Sequence, residues 1–79
     1  MVSELRVRSF ALRHELEHVT SALMVNVESG FWSLAQRAAL DLAGLLGSTR
    51  TRRLADPALC VRGAHAARHV ADLCAQEVR

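Results

Sequence analysis

Between Phe31 and Leu46 the chain is so apolar that one face of a helix cannot hold all of its large side chains. Phe31, Ala35, Ala38, Leu42 and Leu45 fall on a stripe at helical spacing, with Trp32 and Leu34 beside it. Leu40 and Leu46 widen the apolar surface almost to the full circumference. A helix of this kind needs cover on more than one side. Gln36, Arg37 and Asp41 interrupt the stretch, which argues against a membrane span. Yet the chain has only 79 residues, a length at which a core barely offsets conformational entropy. The isolated chain is therefore expected to self-associate or stay loosely packed, with Leu40, Leu45 or Leu46 in the contact.

Two further helices are legible around this stretch. Ser3 is placed to cap the first, and Glu4 suits the positive end of its dipole. Leu5, Leu12, Leu16, Val19 and Leu23 form its apolar stripe, which predicts a helix over about 4–28. Asn26, Glu28, Ser29 and Gly30 mark the break before a second helix over about 31–46, which Gly47 ends. Residues 48–55 carry Arg50, Arg52 and Arg53 among Ser and Thr without apolar periodicity, and predict a solvated, Arg-rich linker. Asp56 then caps and Pro57 opens a third helix over about 57–77. Its stripe of Cys60, Ala64, Ala67, Ala71, Cys74 and Val78 is small enough for a close helix approach. Arg62, His65, His69, Asp72 and Gln76 occupy another face. The expectation is a single all-α unit over 1–79, a three-helix bundle-like arrangement cut from a larger helical domain.

Composition narrows the function classes. Hydrophobic residues make up 51% of the chain, which is not a disordered composition. Every basic side chain is an arginine, and a net charge of +2 is too small to imply a nucleic-acid surface. Cys60 and Cys74 are too few for a secreted disulfide framework and too far apart on one helix for a C-x-x-C pair. They read as small buried thiols in a reducing compartment. No basic-then-apolar leader opens the chain, so a cytosolic protein, or a fragment of one, fits best.

One motif suggests chemistry. His14-Glu15-Leu16-Glu17-His18 matches H-E-x-x-H, in which two histidines one helical turn apart share a zinc and the glutamate activates its water. A third ligand is needed, and Glu28, His65 and His69 qualify by chemistry alone. His14 and His18 also lie opposite the Leu12/Leu16/Val19/Leu23 stripe, so burying the stripe turns them outward. No strand pattern precedes the motif to wall a substrate cleft. His65 and His69 form a second pair at the same spacing with Asp72 a turn on, and two such pairs on antiparallel helices could clamp a metal. The plainer reading makes all four surface or partner-facing histidines. No catalytic, cofactor-binding or metal-ligating residue is assigned, and Trp32 is taken as a core or interface anchor.

The run from Phe10 to Val19 resembles a segment in the C-terminal domain of gamma-tubulin complex components, with the closest likeness to the larger, fifth and sixth members. In that family a helix reads roughly L-R-x-E-[ML]-x-H-[FV] and continues to a tryptophan. Leu12, Arg13, Glu15, Leu16, His18 and Val19 match its first part, and Met24, Val25, Val27 and Trp32 can be laid on the second. Leu59 to His65 is similar to a later stretch that opens a helix, with Val61, Ala64 and His65 at matching places. The chain departs from the pattern in lacking about one turn between Leu23 and Met24 and in an insertion over Leu40 to Asp56. Leu59 and Cys60 also replace an acidic pair. The resemblance implies a non-enzymatic scaffold that helps hold gamma-tubulin in a ring from which microtubules nucleate. Its implied partners are gamma-tubulin and other complex components, and its implied location is the cytoplasmic microtubule-organising centre or spindle pole. Two alternatives stand beside it: a zinc metallopeptidase-like protein using His14, Glu15 and His18, and an unrelated small helical interaction module.

Overall fold

A computed structural model describes residues 2–78. Four helices follow one another, α1 (Val2–Ser29), α2 (Trp32–Leu46), α3 (Thr49–Leu54) and α4 (Pro57–Val78), and no strand occurs among the described residues. The chain is all-α. Its three long helices begin and end within two residues of the sequence expectation. Because α1 starts at Val2, Ser3 falls in its first turn instead of in front of it; the Ser3 side chain, and any cap it makes, lies outside the described residues.

The α1–α2 break is built by backbone geometry. Gly30 takes φ +73°, the left-handed region that costs glycine least. Its N–H donates to the Val27 carbonyl at 3.1 Å, and the Phe31 N–H donates to the Asn26 carbonyl at 2.9 Å. This pair of bonds is the Schellman closure of a helix C-terminus. It folds α2 back along the second half of α1. At about 1.5 Å per residue, the 28 residues of α1 outrun the 15 of α2. The first half of α1 therefore overhangs α2, and Leu5, Val7 and Phe10 are left exposed.

Residues 48–55 depart from the expected linker. They form the short helix α3, in which Thr51 is fully buried. The Leu45 carbonyl, near the C-terminus of α2, accepts from the Thr51 hydroxyl at 2.6 Å, from the Ser48 hydroxyl at 2.8 Å and from the Ser48 N–H at 3.2 Å. The Thr51 N–H in turn donates to Ser48 Oγ at 3.3 Å, which makes Ser48 the N-cap of α3. Arginines dominate the sequence of this segment, but its hydroxyls fasten it to the end of α2, and the buried Thr51 hydroxyl finds its acceptor there. At α4 the expectation holds. Asp56 Oδ1 accepts from the Ala58 N–H at 2.9 Å, and Pro57 occupies the first helical position.

Within the fold, α2 lies between α1 and α4, which hardly touch each other. The result is an elongated, open arrangement of 49 × 22 × 13 Å. Its core is made of small residues: Ala35, Ala38, Ala39 and Ala43 from α2, and Cys60, Ala64, Ala67, Ala71 and Cys74 from α4. Leu12 is the one large apolar side chain among the buried residues. Leu16, Val19 and Leu23 are half-buried on the same face, which is the expected register of α1, whereas Leu5 at its start and Val78 at the end of the α4 stripe are exposed. Opposite substitutions on α2 test this packing. Ala39 is sealed from solvent, so Ala39→Leu is expected to destabilise by about 1–3 kcal/mol through overpacking. Gly44 is exposed with open space around it, so Gly44→Ala is expected to stabilise by about 0.5–1 kcal/mol. Chemical denaturation of the two variants checks both signs.

Candidate functional site

The H-E-x-x-H residues sit near the middle of α1, where its apolar stripe faces α2. His14 and His18 are exposed, as their position opposite the stripe requires. The imidazole of His14 lies parallel to the Phe10 ring, with centroids 6.4 Å apart and planes 9° from coplanar. Glu15 is engaged by a residue distant in sequence: Arg50 Nη2 lies 2.6 Å from its Oε2. The glutamate that a peptidase would need as a base is thus the partner of a guanidinium on α3. Both side chains of this pair are about half exposed, so it contributes little to stability.

His65 and His69 are exposed on α4, with Asp72 exposed a turn further on. Since α1 and α4 hardly touch each other, the two histidine pairs are not brought together. Glu28 is exposed near the end of α1. Among the described residues, no group of three or more His, Cys, Asp or Glu side chains is placed to hold a metal ion. Two ligands one turn apart are present, and the third that a catalytic zinc requires is not brought to them.

The cysteines are both unpaired and buried on the inner stripe of α4, the position expected of small apolar residues. Trp32, at the start of α2, is half-buried where three helices meet. It lines a groove of about 340 Å³ together with Val27 of α1 and Val70, Leu73 and Cys74 of α4. Trp32 thus lies between the end of α1 and the end of α4. No helix of the described residues is long and apolar enough to cross a membrane.

The feature that sequence reasoning missed is a basic cleft. Between the overhanging half of α1 and α3 lies a recess of about 300 Å³ bounded by Leu5, Arg8, Thr49, Arg50, Arg53 and Leu54. The sequence signals one wall of it, since Ser48-x-x-Thr51 directly after Gly47 is a hydroxyl pair at capping distance that marks α3, but not the overhang of α1 that forms the other. Comparison with family models, with curated proteins and with solved structures gave no match.

The site's chemistry can be tested through zinc content. Protein purified from zinc-replete medium is expected to hold well under one zinc per chain by elemental analysis, with no change on His14→Ala. Stoichiometric zinc lost in that variant would instead make Glu15 a candidate base. Glu15→Gln is expected to shift stability by no more than about 1 kcal/mol, the range of an exposed ion pair.

Proposed function

We propose that the chain is a non-enzymatic helical scaffold segment that works by packing its outward apolar side chains against other helices. The observation that carries this reading is an inversion of size. Alanine and cysteine fill the inside, while thirteen large hydrophobic residues among those described are exposed, including Phe10 at 72%, Leu59 at 58% and Leu40 at 51%. Apolar surface on this scale drives association, because each square ångström removed from water contributes roughly 25 cal/mol. On α4 the order is clear. Leu59, Gly63, Ala66, Val70 and Leu73 recur at spacings of four and three, and together form a seam suited to another helix. At Gly63 a terminal methyl of Leu46 lies 3.0 Å from where a side chain would begin, and Val27 and Trp32 border Val70 and Leu73 at the far end of the seam.

The resemblance of Leu12 to Val19 and of Leu59 to His65 to gamma-tubulin complex components points to the assembly in which such a segment would serve. In that setting the missing neighbours are the remainder of a helical domain, gamma-tubulin and sister components at the microtubule-organising centre. The two outward histidine pairs and the Glu15–Arg50 pair support the scaffold over the peptidase, since all are compatible with a surface that carries no reaction.

Analytical ultracentrifugation, alone and with purified gamma-tubulin, tests the proposal. The isolated chain is expected to self-associate and to co-sediment with gamma-tubulin. Leu40→Glu and Leu73→Glu are expected to weaken both without loss of helicity, because both side chains are already about half in water. A monomer indifferent to gamma-tubulin, with strongly protected amides in all three long helices, would leave a self-sufficient helical module as the better account.

A further inference from the structure

We propose that the cleft between the overhanging half of α1 and α3 is a docking site for an acidic peptide segment of a partner protein, one that presents carboxylates around an apolar side chain. This goes beyond the scaffold reading and does not depend on which assembly the chain serves. Arg8 from α1 and Arg50 and Arg53 from α3 surround a recess of about 300 Å³ that also has Leu5 and Leu54 in its lining. Leu5 is more than half exposed and Leu54 is half-buried, so the recess contains apolar surface still open to water.

The charges are arranged to receive carboxylates. Arg8 Nη2 meets Glu4 at 2.7 Å and Arg50 Nη2 meets Glu15 at 2.6 Å. Each guanidinium thus holds a carboxylate through one nitrogen, with further N–H donors of its planar fork unspent. Arg53 forms no ion pair among the described residues. Both existing pairs are exposed and hence weak, so an incoming carboxylate can share or replace them at small cost. The three arginines of the cleft stand against the two carboxylates that pair with them, Glu4 and Glu15, which leaves one positive charge in excess there. The Ser48–Thr51 clasp on the Leu45 carbonyl holds α3 in place, so Arg50 and Arg53 are presented from a fixed element.

The same features favour a peptide over a nucleic acid. An excess of one charge at the cleft, and of +2 over the whole chain, offers few phosphate contacts, on which nucleic-acid affinity chiefly rests. A small recess with two leucines fits an apolar side chain flanked by carboxylates, and guanidinium forks bind those in bidentate fashion.

The test titrates the full chain against a fluorescent peptide alternating glutamate and leucine, with anisotropy as the readout. A serine-for-leucine peptide and an oligonucleotide of equal charge serve as comparators. Saturable binding of the glutamate–leucine peptide is expected, stronger than that of either comparator and weakened by salt. Arg53→Glu is expected to reduce it about tenfold or more, the loss of a charge-assisted hydrogen bond. Arg53→Gln should reduce it less, and Arg68→Glu on exposed α4 surface should leave it unchanged. Circular dichroism identifies any variant that has lost its fold; were Arg53→Glu to unfold, Arg53→Gln carries the reading. Absence of saturable peptide binding, equal binding by a folded Arg53 variant, or tighter binding of the oligonucleotide would each overturn the proposal.

Discussion

The close contact between α2 and α4 is the interaction on which the remaining structure depends. It is made by alanines and cysteines, whose short side chains let two helices approach along most of their length. Close approach gives many weak dispersion contacts, which are individually tiny and add along the seam. It gives less hydrophobic stabilisation, because an alanine removes little apolar surface from water compared with a leucine. The same choice of residues that joins α2 to α4 therefore leaves the larger leucines, valines and phenylalanines with no place inside. The open shape follows as well. With α1 and α4 both packed on α2 and hardly touching each other, Leu59, Ala66 and Leu73 of the α4 seam stay exposed among the described residues.

A second constraint acts at the end of α2. A helix C-terminus leaves carbonyls without intrahelical partners, and here the Leu45 carbonyl takes donors from both Ser48 and Thr51. This turns a polar, arginine-bearing stretch into an ordered helix with a fully buried threonine. It also decides where the arginines go. Arg50 reaches Glu15 across the chain because the hydroxyl clasp has already brought α3 beside α1.

Much of this was legible in the sequence. The apolar stripe of Leu12, Leu16, Val19 and Leu23 carries helical periodicity that survives any neighbour, and Asp56-Pro57 is a local signal whose geometry needs no tertiary context. The outward placement of His14 and His18 followed from that stripe by simple rotation about the helix axis. Ala39 and Ala43 were harder. Periodicity identified one stripe on α2, whereas two neighbouring helices bury more than one stripe, and an alanine looks the same at a surface as in a seam. Leu34 and Leu40 show the converse, since their hydrophobicity says only that cover is favourable, not that it is present. The basic cleft was illegible because it depends on the overhang of α1, which arises from the unequal lengths of two helices and a turn that folds them together.

The H-E-x-x-H residues show how a motif gains or loses its meaning from its surroundings. Two histidines a turn apart and a glutamate are the correct groups for activating a metal-bound water, but the chemistry also needs a third ligand and a walled cleft. In this fold the two histidine pairs stand on helices that hardly touch each other, and Glu15 is bound to Arg50. Bringing His65 or His69 to His14 would require α4 to leave the alanine seam, the contact that holds the molecule together. The same surroundings give the neighbouring positions a different use. Glu15 steadies Arg50, Arg50 borders the cleft beside Arg8 and Arg53, and the cleft lies on a part of α1 that α2 does not reach. The segment that reads most like catalytic machinery thus adjoins the recess where Arg8, Arg50 and Arg53 meet Leu5 and Leu54.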